Sequence, residues 1–156
     1  PGLDRSFDAQ KWAFLPSRIW MDAADEAMDQ EFHGSYDIWG GDIDPAAVEL
    51  SRHNAALAGV EDCVRFEVAD AGKFHRESAY GQLVTNPPYG ERLLEKTEAE
   101  ALYRRFGAAA RTLPPGWRVV VLSSHTEFER AFGRPADKKR KLYNGMLKCD
   151  AFLYGR

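Results

Sequence analysis

The chain has 156 residues, of which 44% are hydrophobic and 29% are charged, and its formal net charge is −3. This composition is typical of a single soluble globular domain, and no apolar run is long enough to predict a membrane helix or a signal peptide. The slightly acidic charge excludes a general basic field for nucleic acid, so any contact with RNA or DNA must be local.

Two cysteines and one basic run add to this picture. Cys63 and Cys149 share no motif spacing and predict no disulfide framework, which suits the reducing cytoplasm. The run "KKRK" at residues 138–141 is the only dense basic patch in the sequence. It suits a solvated turn or a protected edge strand, and it suits contact with RNA phosphates equally well.

The N-terminal part predicts an irregular segment, a helix and a strand. We expect Trp12 and Phe14, within the irregular residues 1–16, to fold onto the body of the protein. Ser17 is the expected N-cap of a helix. The apolar residues of this helix fall on one face: Trp20, Ala23, Ala24, Ala27 and Met28. The stretch "YDIWGGDID" then predicts a strand that ends near Asp42.

A second helix and two further strands follow. Asp44 is expected to cap the helix, Pro45 to occupy its first position, and Gly59 to lie just past its end. The stretch "VRFEVAD" at residues 64–70 predicts the next strand. The third strand is predicted at "LVTN", and we expect residues 82–85 to be buried.

The C-terminal part predicts a helix, a strand, a short helix and a hairpin. The helix "EAEALYRRFGAAARTL" directs four apolar residues inward: Leu102, Phe106, Ala109 and Leu113. The stretch "WRVVVLSS" predicts a strand buried on both faces, and residues 125–132 predict a short helix. "KRKLYN" and "LKCDAFLYG" predict two strands joined by a tight turn at Asn144-Gly145. The alternation predicts an α/β fold with a mostly parallel sheet and a C-terminal antiparallel hairpin.

Three predicted strands end in polar side chains, at Asp42, Asp70 and Asn86. Ligands of such sheets bind beyond the carboxyl ends of the strands. Each residue alone is also ordinary in a loop. Their coincidence predicts a ligand site at this edge of the sheet.

The stretch "TNPPYG" places one Asn before two prolines and an aromatic side chain. Two consecutive prolines forbid a helix interior or a central strand pairing. The residue before a proline is extended, so the Asn86 side chain should project from the strand end. Pro87 and Pro88 stiffen the loop and supply carbonyl acceptors without backbone donors. The motif predicts a rigid acceptor site, with a proline turn and a capping Asn as the alternative.

Five stretches together carry a family resemblance: "PGLDRSFDAQKW", "GGDIDPAAVELSRHNAALAGV", "ADAGKF", "TNPPYGERL" and "KRKLYNGMLKCDAFLY". The chain resembles the catalytic domain of class I S-adenosylmethionine-dependent methyltransferases with an NPPY motif. More narrowly, it resembles the THUMP-containing 23S rRNA guanine-N2 methyltransferases, which are often described as N6-adenine-specific DNA methylases. The resemblance implies a Rossmann-like class I fold and a cytoplasmic enzyme acting in rRNA processing.

The resemblance also implies cofactor contacts. Asp42 would accept hydrogen bonds from both ribose hydroxyls of the cofactor, because a carboxylate has two acceptor oxygens. Ile43 would lie against one adenine face, although ordinary core packing suits it nearly as well. Asp70 would accept from the adenine amino group, and the Ala71 amide would donate to the ring. Asn86 belongs to the cofactor site and to the catalytic motif.

In the same family, the NPPY motif carries the chemistry. An exocyclic amine is a poor nucleophile, because its lone pair is delocalised into the ring. Acceptance of its two hydrogens by the Asn86 side chain and the Pro87 carbonyl would localise electron density on nitrogen and orient it. Pro88 would keep the loop rigid, and Tyr89 would stack on the base after the base leaves its helix or loop. Positioning of this kind supplies on the order of 7–11 kcal/mol.

One departure from the family concerns its first strand, its glycine-rich loop and its first helix, which have no counterpart in these residues. We therefore expect residues 1–156 to be the C-terminal part of one catalytic domain, without the upstream THUMP domain. Without the first strand, the sheet should split between the strand ending at Asp42 and the strand ending at Asn86, leaving unpaired edges. The expected partner is the missing N-terminal segment, and this chain alone is expected to be inactive.

Three functions remain open from the sequence. The first is methylation of guanine N2 in large-subunit rRNA. The second is the same chemistry on adenine N6 of DNA or RNA, or on a glutamine side chain. The third is a non-catalytic remnant that binds RNA or a partner.

Other polar residues predict no additional chemistry. The four histidines are scattered and show no spacing for a metal site. Ser123, Ser124 and His125 are expected to form a strand end and a helix cap rather than a nucleophile and its base. The arginines at 104, 105 and 111 are expected on the solvated face of their helix.

Overall fold

The computed structural model describes residues 6–31, 34–90 and 93–155. Its helices are α1 (Ser17–Asp29), α2 (Pro45–Leu57), α3 (Leu93–Ala110) and α4 (Phe128–Phe132). Its strands are β1 (Ile38–Asp42), β2 (Val64–Val68), β3 (Tyr80–Thr85), β4 (Gly116–Ser123), β5 (Lys138–Asn144) and β6 (Leu147–Tyr154). Short 3-10 turns occupy Asp8–Lys11 and Ala71–Lys73.

The strands form two separate sheets. One contains β1 and β2, and the other has the order β3-β4-β6-β5. Strands β3 and β4 are parallel, whereas β6 is antiparallel to both β4 and β5. The α/β class and the C-terminal antiparallel hairpin are thus confirmed. The expected split is also present, because β1 and β3 lie in different sheets.

The chain forms two compact units, and the first comprises residues 1–40 and 49–66. In this unit Phe7 stacks on Trp20, with ring centroids 6.2 Å apart. Gly40 lies against the Phe66 ring so closely that a Cβ at Gly40 would approach a ring carbon to 2.8 Å. No residue of α1 is buried. The first unit therefore has little core of its own.

The second unit, residues 41–48 and 67–156, contains the main hydrophobic core. Helices α3 and α4 cover one face of the four-stranded sheet. The core between the helices and the sheet contains these buried residues: Ala99, Tyr103, Phe106, Val119, Val121, Phe128, Ala131, Phe132, Phe152 and Tyr154. The two helices approach closely at Gly107, where a Cβ would clash with the Phe132 carbonyl oxygen. Among the described residues, no helix is long and apolar enough to cross a membrane.

The opposite face of this sheet is open, which corrects two predictions. Strand β3 was expected to be buried, yet Val84 is 73% exposed and Tyr80 is 81% exposed. Strand β4 was expected to be buried on both faces, yet Val120 and Leu122 are only half-buried. The reason is tertiary, because no element in the described residues covers this face of β3 and β4.

The N-terminal predictions also need correction. Trp12 and Phe14 are 52% and 75% exposed and stack on each other rather than on the body of the protein. Helix α1 begins at Ser17, so the N-cap is Pro16, which has no side-chain cap bond. Most of the apolar face of α1 stays exposed, although Phe7 stacks on Trp20.

The predicted boundaries of the other elements are mostly confirmed. Helix α2 begins at Pro45, and Gly59 follows it with a φ of +65°. Helix α4 begins later than predicted, at Phe128. The hairpin turn lies one residue later than predicted, because Asn144 pairs with Leu147 and leaves residues 145–146 as the loop.

Candidate functional site

Asp42, at the end of β1, is held by the backbone that follows it. Its Oδ1 accepts a hydrogen bond from the Asp44 amide at 2.9 Å. Asp44 in turn accepts from the Ala46 amide at 2.9 Å, which confirms its role as the cap of α2. The second carboxylate oxygen of Asp42 has no partner among the described residues. The turn therefore orients an exposed carboxylate and leaves one oxygen free for a ligand.

Asp70 lies beside Asp42 because β1 and β2 end together. The Ala69 amide donates to the Asp42 carbonyl at 2.8 Å, which joins the two strand ends. Asp70 caps the 3-10 turn that begins at Ala71, and its Oδ1 accepts from the Gly72 amide at 2.8 Å. Each carboxylate thus has one oxygen bound to a backbone amide.

The turn after Asp70 packs against α3, and the residue between them must be small. A Cβ at Gly72 would lie 2.9 Å from the Arg105 Cβ and 3.2 Å from the Asp70 Oδ1. Glycine therefore allows the turn to approach the helix without moving the carboxylate. Ile43 is 69% exposed, which contradicts ordinary core packing and leaves an apolar surface beside Asp42.

The NPPY loop (residues 86–89) follows β3 and keeps its acceptors accessible. Asn86 is exposed at the strand end, as predicted. The Pro88 carbonyl accepts a hydrogen bond from the Tyr103 hydroxyl at 2.6 Å. In the part of the chain that the structure describes, no residue donates to the Pro87 carbonyl. The loop therefore commits one proline carbonyl to the protein and presents the other.

Tyr89 is anchored at its hydroxyl group. Asn144 Nδ2 donates to Tyr89 Oη at 3.4 Å, and the Cys149 thiol lies 3.8 Å from the same oxygen. Partial burial raises the pKa of Tyr89. Hydrogen bonds from Asn144 and Asn86 lower the pKa, but the effect of burial is larger. The hairpin of β5 and β6 thus fixes the position of the Tyr89 ring relative to Asn86.

A buried polar network of Tyr103, Ser123 and His125 supports the NPPY loop. Tyr103 is fully buried, and its hydroxyl lies 3.4 Å from Ser123 Oγ. Ser123 Oγ also accepts from the His125 amide at 3.1 Å. Ser123 ends β4 as predicted. The N-cap of α4 is Glu127, not one of residues 123–125 as expected. The Glu127 amide donates to His125 Nδ1 at 3.1 Å.

The sequence interpretation missed Tyr103. Its spacing of three residues from Phe106 placed it on the buried face of α3, and a Tyr hydroxyl on such a face needs a polar partner. No sequence signal connected that hydroxyl to Pro88, fifteen residues away. The arginines at 104, 105 and 111 are exposed as predicted.

Tyr103→Phe should destabilise the protein by about 1–3 kcal/mol, because it leaves the Pro88 carbonyl without a protein donor. The free energy of unfolding, obtained from urea titration, checks this. The matched control is Tyr143→Phe, since Tyr143 is 73% exposed. Equal stability of the two variants would contradict a structural role for the buried hydroxyl.

Stability should fall as the pH decreases below about 6.5, because burial lowers the pKa of His125 and outweighs the raising effect of Glu100. Above that pH the side chain is neutral in both states. Below it the unfolded chain binds a proton that the folded chain does not, so folding is disfavoured. The unfolding temperature, measured from about pH 7.5 to about pH 5.5, spans roughly one unit on each side of the ordinary histidine pKa and tests this prediction.

His125→Asn is the matched variant for this pH series. Its side-chain oxygen retains an acceptor for the Glu127 amide but cannot bind a proton in this range. The variant should show a flatter dependence of unfolding temperature on pH. An unchanged dependence would assign the effect to other groups.

The structure brings the predicted site residues together in two groups. Asp42, Ile43, Asp70 and Ala71 follow the sheet of β1 and β2. The residues of the NPPY loop follow β3, in the other sheet. No hydrogen bond joins the two groups within the described residues. No cluster of three or more metal-ligating side chains occurs in this part of the chain.

Comparison with known proteins was made against families, curated sequences and solved structures. The model of the RMKL-like methyltransferase domain matches residues 4–152. Ribosomal RNA large subunit methyltransferase K/L of Shewanella sp. (strain W3-18-1) is 36% identical over 159 residues, which cover 99% of this chain. The chain spans 22% of that relative and at most 40% of the leading curated relatives.

Solved structures with 38% sequence identity show the same fold. SMU.472, complexed with SAH, is 38% identical with a TM-score of 0.92, and the match covers 99% of this chain and 41% of that one. A predicted N6-adenine-specific DNA methylase from Listeria monocytogenes str. 4b F2365 is also 38% identical, with a TM-score of 0.85. That match covers 99% of this chain and 40% of that one.

Proposed function

Because this chain belongs to the family of RMKL-like methyltransferase domains, we propose that it takes part in S-adenosylmethionine-dependent methylation of an exocyclic amine in RNA. The observation that carries the proposal is the set of uncommitted acceptors at the strand ends. Among the described residues, Asp42 and Asp70 each bind backbone through Oδ1 alone, and no donor contacts the Asn86 side-chain oxygen or the Pro87 carbonyl at the end of β3. Such a set suits ligands rich in hydroxyl and amino donors.

The carboxylates fit the nucleoside part of S-adenosylmethionine. Asp42 would accept from the ribose hydroxyls, and Asp70 would accept from the adenine amino group. The exposed Ile43 side chain would cover one adenine face, and the Ala71 amide would donate to the ring. The relative SMU.472 was solved with SAH, the product left by methyl transfer from this cofactor. When bound, the cofactor supplies an electrophilic methyl group.

The NPPY loop would orient the amine. The Asn86 side-chain oxygen and the Pro87 carbonyl would each accept one of its two hydrogens, which directs the nitrogen lone pair away from the loop. Tyr103 holds the Pro88 carbonyl, so the loop needs little rearrangement as the amine binds. Tyr89, fixed by the hairpin, would stack on the base. The proton on nitrogen can leave after transfer, so no strong base is required.

Guanine N2 of 23S rRNA is the substrate that we propose. The name of the Shewanella relative supports ribosomal RNA of the large subunit. Methylation of adenine N6 is the second candidate, because the Listeria protein is described as an adenine-specific DNA methylase. Cytoplasmic localisation follows from an rRNA substrate.

Mass spectrometry of nucleosides separates these substrates. RNA and DNA from cells with and without the gene would be digested and compared. Loss of N2-methylguanosine from large-subunit rRNA is the expected result. Loss of N6-methyladenosine would assign adenine as the substrate. Loss of methylated glutamine from tryptic peptides of the same cells would assign a protein substrate. Unchanged methylation in every fraction would favour a non-catalytic binding role.

We further propose that activity needs an additional strand at the free edge of β3. The support is topological, since β3 is an edge strand that pairs only with β4 among the described residues. A missing N-terminal segment or domain of the same polypeptide is the proposed source. Methyl transfer by residues 1–156 alone should be undetectable and should appear when that segment is present. Robust transfer by the isolated chain would contradict this proposal.

A further inference from the structure

The outermost strand of the sheet, β5, is exposed along its whole length. It contains the four residues that we call the basic strip: the cations Lys138, Arg140 and Lys141, and the aromatic Tyr143. Tyr143 is 73% exposed. Lys139 does not belong to the strip, because its ammonium group pairs with Glu129 at 2.8 Å. Side chains alternate along a strand, so Lys138 and Arg140 lie on one face of β5, and Lys141 and Tyr143 lie on the other. The strip thus places cations on both faces of the exposed edge strand, with the aromatic ring on the face of Lys141.

The strip runs directly away from the NPPY loop. Asn144, the last residue of β5, donates to the Tyr89 hydroxyl. Side chains alternate along a strand, so Lys138 and Arg140 lie on the same face as Asn144. Arg140 and Asn144 are four positions apart, a distance of about 14 Å along the strand. A strand of RNA whose base contacts Tyr89 can therefore place neighbouring phosphates near Arg140.

The charges of the strip are not balanced by nearby ion pairs. Within residues 34–90 and 93–155, neither Lys138 nor Arg140 forms a salt bridge, and Lys141 lies across from Asp150 without one. The chain as a whole is acidic, with a net charge of −3. Charged residues also protect edge strands from aggregation, but protection alone does not require the cations to adjoin the aromatic loop.

We propose that the basic strip binds the phosphates of the substrate RNA beside the base that the NPPY loop receives. Tyr143 supplies a ring on which a neighbouring base stacks, as in other proteins that bind single strands. This inference rests on the proposed function, because it takes RNA as the substrate. It adds a contact surface on the methyltransferase domain itself.

Fluorescence anisotropy with a labelled single-stranded RNA oligonucleotide tests the strip. The 156-residue chain would be titrated at several salt concentrations, and the slope of log affinity against log salt would be measured. The variant carries Lys138→Gln, Arg140→Gln and Lys141→Gln. Loss of three phosphate contacts should reduce the slope by about 2 and weaken binding. Tyr143→Ala should weaken binding by roughly fivefold or more without changing the slope.

The control removes three exposed cations elsewhere, with Lys11→Gln, Arg18→Gln and Arg65→Gln. It changes the net charge equally and should leave the slope unchanged. A charge-preserving variant, Lys138→Arg with Lys141→Arg, should also retain the slope. This variant guards against loss of folding, which circular dichroism would detect separately.

Three results would overturn the inference: no binding of RNA by the chain, equal slopes for the strip and control variants, or equal affinity for polyglutamate at matched salt. Equal slopes for the strip and control variants would leave RNA as the substrate and place its phosphate contacts on other residues. Binding through another polyanion would identify a protein partner instead. Failure of the proposed function itself would appear in the nucleoside analysis, which does not depend on these residues.

Discussion

Asp42→Ala is expected to weaken binding of S-adenosylmethionine by about 100-fold, or about 3 kcal/mol, because two hydrogen bonds to a carboxylate are lost. The carboxylate is oriented before the ligand arrives, since its Oδ1 accepts from the Asp44 amide. Calorimetric titration of the cofactor measures the change. Intact mass of the sample would first establish whether an N-terminal piece accompanies the chain.

Asp44→Ala is the matched control for this experiment. The two acidic residues are two positions apart, but the Asp44 side chain caps α2 through the Ala46 amide. Its loss should reduce the free energy of unfolding by about 1 kcal/mol and leave the affinity for the cofactor nearly unchanged. Equal losses of affinity in both variants would contradict a direct role for Asp42. No binding by the folded wild-type chain would mean that the pocket is incomplete without another strand.

Local signals explain why the two strand-end acids and their surroundings were predictable. The stretch "DIDPAA" specifies a capped helix with proline at its first position, and the structure forms that cap. The double proline after β3 ends the strand at the predicted residue. In both places a few consecutive residues determine the backbone, so sequence alone sufficed.

Exposure was predicted poorly, because it depends on which elements cover a face. Val84 and most apolar residues of α1 have the spacing of buried positions, yet their side chains remain exposed. The bond from Tyr103 to the Pro88 carbonyl was also missed, since the two residues meet only after α3 packs on the sheet. Asn144 was assigned to a turn, whereas the observed register makes it the residue that contacts Tyr89.

Asn86→Ala is expected to lower the rate of methyl transfer by about 10²- to 10³-fold, the loss seen when one preorganised catalytic hydrogen bond is removed. The side chain is exposed at the strand end and takes no part in the core, so folding should be retained. Single-turnover assays would be made with a polypeptide that contains these residues and the strand proposed to pair with β3. Affinity for the cofactor should change far less than the rate.

Gln82→Ala is the control, because Gln82 is also an exposed amide on β3 but lies four residues before the motif. Its rate should equal that of the wild type. A comparable loss in both variants would show that β3 responds generally to substitution. A normal rate for Asn86→Ala would remove the amide from the chemistry. The Pro87 carbonyl would then be the remaining acceptor in the loop, and the amine would have to be oriented chiefly by stacking on Tyr89.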